Sequence, residues 1–225
     1  MALPVGMVSA WRLLMARNGT GMDAQPSSQR AARKNILERL KLETAADHAA
    51  IEEASAILHP RLDLEGYRAY LEDTFGFYQI AEPRLAQMGV WQLLELPARE
   101  RFKLPLLLRD LQALGCADPS ALPLCEAPAE WPGAAEAIGA AYVLEGSTLG
   151  GNVISRHIQQ RFGAAVPRAF LECYGPSSAE HWRAFRATLS RFATSRELEN
   201  RMISGAQSTF RTFTRWLGRR RHGVS

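Results

Sequence analysis

No stretch of 18 or more uninterrupted apolar residues occurs in the chain, so a membrane-spanning helix is not expected. Cysteine is scarce. Cys116, Cys125 and Cys173 are widely spaced, odd in number and form no C-x-x-C. That argues against a disulfide framework or a structural zinc site. They read as reduced thiols of a cytoplasmic protein that serve mainly for packing. Period-two alternation of apolar and polar residues is missing, so strands are not expected. There is no internal repeat and no flavin or nucleotide motif. A large charge excess is absent too: the net charge is +4 and the pI about 9.2. This mild basicity, nearly all of it arginine, is no nucleic-acid signature, though it can attract an acidic ligand or partner.

What is present is helix-forming sequence, with 47% apolar residues, enough for a sizeable core in a single domain. Helix formers run from about Gln29 to Leu58 and stop at Pro60. A second helix is expected over roughly Leu64 to Met88, with Tyr67, Tyr70, Leu71, Phe75 and Phe77 along it. A third covers Ala98 to Leu114 and ends at Gly115. Four prolines between 116 and 133 make that stretch a loop. A long helix follows from about Ala134 to Phe162. The next begins near Ala179, with Ser177 or Ser178 as its N-cap. The last runs from about Ser195 to Leu217, where Glu197 and Glu199 suit the helix dipole. The fold class is all-α, with one core. Met1 to Leu14 is weakly hydrophobic but interrupted, and lacks the apolar stretch and cleavage site of a secretory signal. Residues 1–28 read as a disordered extension, 29–218 as the helical domain, and 219–225 as a solvated basic tail.

Two segments carry chemistry. The first helix contains Lys41, His48 and Glu52. Glu52 lies one turn beyond His48 and can accept its Nδ1–H, which leaves Nε2 free to bind a metal. Lys41 lies seven residues earlier, two turns along the same face and about 10 Å away by helical rise. His-x-x-x-Glu is also common on ordinary charged helices, so this segment does not decide the matter alone. The second segment, Tyr142-Val-Leu-Glu-Gly146-Ser147-Thr-Leu-Gly150-Gly151, puts three glycines within six residues of a helix interior. Each costs about 1 kcal/mol relative to alanine. Such a face lets backbone approach a flat ligand closely and lets the helix bend. A close helix–helix crossing would use the same residues.

Together, in this order and this far apart, the two segments resemble the heme oxygenase family. The likeness runs through the C-terminal helices, over about residues 30–217. It implies a multihelical bundle with heme b between a proximal helix and a kinked distal helix. It also implies cleavage of heme by O2 and reducing equivalents to biliverdin, ferrous iron and CO. By the resemblance His48 is the iron ligand and Glu52 its orienting partner. Lys41 matches a propionate-binding lysine. Gly146, Gly150 and Gly151 match the distal glycines, and Phe210 an aromatic at the heme edge. Arg183 and Arg186 fall where the family supplies further basic groups. Ser147 departs from the pattern, because many animal enzymes carry an aspartate there that organises distal water. The glycine segment is closer to the bacterial branch, which includes enzymes that make biliverdin for bacterial phytochromes. With no redox cofactor motif of its own, the chain would draw on an external donor, ferredoxin or a similar reductase. A monomer with no nucleic-acid or membrane partner is expected. His59, His157, His181 and His222 read as structural or surface groups.

Two alternatives stay open. A heme carrier or sensor without turnover would keep the same ligand and pocket. A different enzyme on the same architecture would need Glu-x-x-His pairs for di-iron or a placed cysteine nucleophile. The sequence has no Glu-x-x-His, and none of its cysteines lies within the helices that carry the two segments.

Overall fold

The computed structural model describes residues 35–126 and 129–222, without the side chains of 221 and 222. The expected N-terminal extension lies outside these residues. Among those described there is no strand. No helix among them is long and apolar enough to cross a membrane.

The chain enters through α1, Ile36–Glu43. Asn35 caps it by accepting from Glu38 N at 3.0 Å, and the Glu38 carboxylate accepts from Asn35 N at 3.1 Å. The single first helix of the sequence reading is two helices. Thr44 leaves helical geometry at φ −106°, ψ 4°, and α2 follows over Ala45–Ser55. The Thr44 hydroxyl donates to the Leu40 carbonyl at 2.7 Å, a local bond of the kind that competes with a helix interior. Neither proline nor glycine marks this break.

Next comes α3, Leu64–Gln87, capped by Asp63, which accepts from Gly66 N at 2.7 Å. After the single turn α4, Val90–Leu93, the expected helix over 98–114 begins instead as a 3-10 turn at Ala98–Arg101. The helix proper, α5, is Leu104–Ala113, with Pro105 in its first turn. Proline there is compatible with a start but not with an interior, so the helix cannot begin at Ala98. The proline-rich loop leads to α6, Ala134–Phe162, at the expected bounds. Then follow α7, Ala169–Glu172, α8, Ser178–Phe192, and α9, Arg196–His222. Ser177 precedes α8 without a side-chain cap bond, and the Ser178 hydroxyl turns back to the Gly175 carbonyl at 2.8 Å. Ser195 does cap α9, accepting from Leu198 N at 3.2 Å.

Helix α9 is the spine. It packs most extensively against α6 and next against α2. The α6–α9 crossing is set by glycine on both sides. A Cβ on Gly139 would strike the Met202 carbonyl, and one on Gly205 would strike the Glu136 carbonyl. Arg219 and Arg220, expected in a solvated tail, are ion-paired instead. Helix α9 continues through them, and carboxylates of α3 face these turns. Arg219 Nη2 and Arg220 Nε donate to Asp73 Oδ1 at 2.6 and 2.7 Å, and Arg220 Nη2 to Glu72 Oε2 at 3.0 Å. Trp216 Nε1 donates to the Asp73 carbonyl at 2.7 Å, under the Arg219 guanidinium.

Candidate functional site

Helices α2, α3, α6 and α9 line an apolar cavity that opens to solvent.

One wall is α2. His48 lines the cavity with 20% of its side chain exposed, and its Nδ1 lies 3.7 Å from Glu52 Oε1. That separation sets the carboxylate beside the ring without a hydrogen bond between these two atoms. The Phe210 ring of α9 meets the imidazole edge-on, with centroids 5.6 Å apart. Burial lowers the His48 pKa below 6.5, against the opposing charge of Glu52. The ring is therefore neutral at pH 7, the form that ligates a metal.

The facing wall is the middle of α6, where Val143, Gly146, Ser147, Gly150, Gly151 and Ile154 line the cavity. A Cβ on Gly151 would strike the Leu171 carbonyl of α7. The crossing explanation of the glycines thus holds for Gly151, which also lines the cavity. The Ser147 hydroxyl donates to the Leu144 carbonyl at 2.8 Å. That occupies its one proton, so the 3.1 Å contact with the Tyr78 hydroxyl has Tyr78 as donor.

Behind this wall sits a buried ionic cluster. Glu145 of α6, 1% exposed, accepts from Lys103 Nζ at 2.8 Å, from Arg101 Nη1 and from the Tyr174 hydroxyl at 2.9 Å. Burial alone would raise the Glu145 pKa, but the charges of Lys103 and Arg101 outweigh it and hold the carboxylate ionised. Glu82 of α3 accepts from Lys103 N and Leu104 N at 2.7 and 3.1 Å, which satisfies the start of α5. The Lys103 side chain reaches the cavity lining.

A model of the family described as "Heme oxygenase" matches residues 34–219. The chain belongs to the heme oxygenase family. A heme oxygenase of Xanthomonas campestris pv. campestris (strain 8004) is 35% identical over 116 residues. That alignment covers 50% of this chain and 66% of the relative, just under two thirds of its length. The fold is shared with the NO- and CO-bound heme oxygenase of Neisseria meningitidis. The TM-score is 0.72 at 22% identity, covering 86% of this chain and 94% of the other. It is shared also with heme oxygenase-1 of Synechocystis sp. PCC6803 in complex with heme. There the TM-score is 0.67 at 14% identity, covering 84% and 94%.

Within this heme oxygenase fold the structure brings together His48, Glu52, Gly146, Ser147, Gly150, Gly151 and Phe210 around one cavity. It does not bring Lys41, Arg183 or Arg186 to the lining. Lys41 is exposed on α1, beyond the break at Thr44, so the straight-helix spacing from His48 does not apply. Arg183 is exposed and Arg186 half-buried on α8, whose buried face is Trp182, Phe185 and Leu189. His157 is likewise outside the lining. Sequence reasoning missed Tyr78, Lys103 and Glu145. The signal for Glu145 was present, since a lone carboxylate interrupts the apolar run Ala140 to Leu144.

Proposed function

We propose that this chain binds heme b in the cavity and opens it with O2 and external reducing equivalents, giving biliverdin, ferrous iron and CO. The observation that carries the reading is a neutral, half-buried histidine facing a glycine-rich helix across one apolar cavity. These residues fit heme in their chemistry: an imidazole to hold iron and an apolar, glycine-bearing lining for the macrocycle. When bound, heme supplies both the redox-active iron that meets O2 and the macrocycle that is consumed.

His48 is the iron ligand in this reading. Glu52, one turn on, orients the ring and favours the tautomer with Nε2 free. Phe210 limits rotation of the imidazole from the α9 side. On the far wall Gly146 and Gly150 let the α6 backbone lie close to a flat ligand. Ser147, with Tyr78 donating to it, can accept from a water there. Val143, Ile154 and Phe213 make the lining apolar. Of the candidate propionate partners, Arg186 is best placed, because its charge acts on the cavity-lining Tyr142. Lys41 and Arg183 could serve only at the rim. Ferredoxin or a similar reductase supplies the electrons. Biliverdin for a bacterial phytochrome is one use of the product. The chain acts as a cytoplasmic monomer.

A second reading, a heme carrier or sensor, is favoured by one observation: Ser147 stands where many animal enzymes have a carboxylate. One experiment separates the two. Purified protein is mixed with hemin under air, a slow reductant is added, and absorption is followed, with His48→Ala alongside. A Soret band that decays into a broad biliverdin band, and is lost or weakened in the variant, supports the enzyme. A Soret band that persists under reductant supports the carrier. No Soret band in the wild type refutes both.

A further inference from the structure

The hydroxyl groups along the cavity are largely spent on their own helices. Ser55 donates to the Glu52 carbonyl at 2.9 Å and Thr74 to the Tyr70 carbonyl at 2.7 Å. Ser147 donates to the Leu144 carbonyl at 2.8 Å and Thr148 to the Glu145 carbonyl at 2.7 Å. Tyr78 in turn gives its proton to Ser147. The Ser147–Tyr78 pair can therefore accept a hydrogen bond but has no proton left to offer. Lys103 differs. Its ammonium has three N–H donors. Two are placed, on Glu145 Oε1 at 2.8 Å and on the Arg101 carbonyl at 3.2 Å. The third has no partner among the described residues, and the side chain lines the cavity.

Resting on the heme-binding reading above, we propose that Lys103 is the hydrogen-bond donor of the distal wall, directing its third N–H at a diatomic ligand or water bound on the side of the heme opposite His48. The group is built for a fixed position. It is 1% exposed, anchored by Glu145, and lies over the Tyr174 ring at 5.6 Å, which itself stacks on His181 at 4.1 Å. The groups around it are Glu145, Glu82, Arg101, Tyr78, Tyr174 and Cys173. Burial alone would lower the lysine pKa, but the Glu145 charge reverses this and keeps the ammonium protonated. Lys103 therefore acts as a fixed positive donor and not as a proton source. A preorganised donor in a water-poor site stabilises charge that develops on a ligand and needs no reorganisation.

The test uses carbon monoxide as the probe on the reduced heme complex of the full chain. The C–O stretch is read by infrared spectroscopy for wild type, Lys103→Met, Tyr70→Phe and Tyr142→Phe. The two tyrosines are the other lining residues whose hydroxyl protons could serve. Lys103→Met leaves Glu145 paired with Arg101 and Tyr174, and Lys103→Leu repeats the measurement with a different side-chain shape, so that misfolding of one variant does not decide the test. Both Lys103 variants are expected to shift the stretch to higher frequency. They should lower turnover by about 100-fold, with hemin still bound. An unchanged stretch in a Lys103 variant that binds hemin overturns the proposal, as does a shift confined to Tyr70→Phe or Tyr142→Phe. A wild-type chain that takes up no hemin overturns the heme reading itself, and this proposal with it.

Discussion

Helix α2, which carries His48 and Glu52, has no fully buried residue. Across the cavity α6 is buried from Ala135 to Leu149 at every position except Ser147. The ligand wall is a cover laid on α9, while the opposite wall belongs to the core. Their electrostatics differ in the same way. His48 and Glu52 stand 3.7 Å apart with 20% and 36% of their side chains exposed. Glu145 is held by Lys103, Arg101 and Tyr174 with 1% exposed. The group that would hold iron thus sits on a partly exposed helix. The group behind the distal wall cannot be altered without disturbing it.

Removing Glu145 should have the largest effect on stability. Glu145→Ala leaves the Lys103 and Arg101 charges buried without their counter-ion. Breaking a buried pair this way costs about 3–5 kcal/mol, read as a lower urea midpoint for the heme-free chain at pH 7. The pH dependence has a defined sign. The folded pKa of Glu145 lies below its ordinary value, so the folded state binds fewer protons. Its stabilising share is complete above the usual glutamate pKa of about 4.3. It is lost as pH falls through the lower folded value, where variant and wild type should converge. A cost below about 1 kcal/mol at pH 7, the range of ordinary substitutions, breaks the contrast between the walls.

Gly205→Ala probes how the buried wall is mounted and should rank second. Its Cβ would meet the Glu136 carbonyl, which is backbone and cannot swing aside. Forcing the α6–α9 crossing apart costs about 1–3 kcal/mol, measured as a lower Tm. Hemin affinity should fall too, since both helices line the cavity. A variant as stable as wild type would mean that the crossing is looser than its geometry implies.

This contrast also explains what the sequence made legible. The bounds of α6 could be read because proline and glycine flank it and helix formers fill it. His48, Glu52 and the α6 glycines could be read because their spacing is local to one helix. The break at Thr44 has no proline or glycine to announce it, and a side-chain bond to Leu40 accompanies it. The misplaced role of Lys41 follows from that unseen break. The Glu145 cluster joins residues 101, 103, 145 and 174, and no local pattern relates them. The C-terminal arginines looked solvated for the same reason, since Asp73 and Glu72 lie far away in sequence.

The smallest stability effect should come from the residue with the largest functional one. His48→Ala removes a half-buried neutral ring that meets the edge of Phe210. Alanine is the better helix former, and α2 has no core position to lose. The heme-free variant should therefore unfold within about 1 kcal/mol of wild type, while its Soret band on adding hemin is lost or weakened. Side-by-side urea titrations and hemin titrations check both halves. If His48→Ala destabilised the heme-free chain as much as Glu145→Ala does, α2 would be part of the core and the asymmetry between the walls would fall. If stability held and hemin still bound with an unaltered spectrum, the iron ligand would lie elsewhere on the cavity wall.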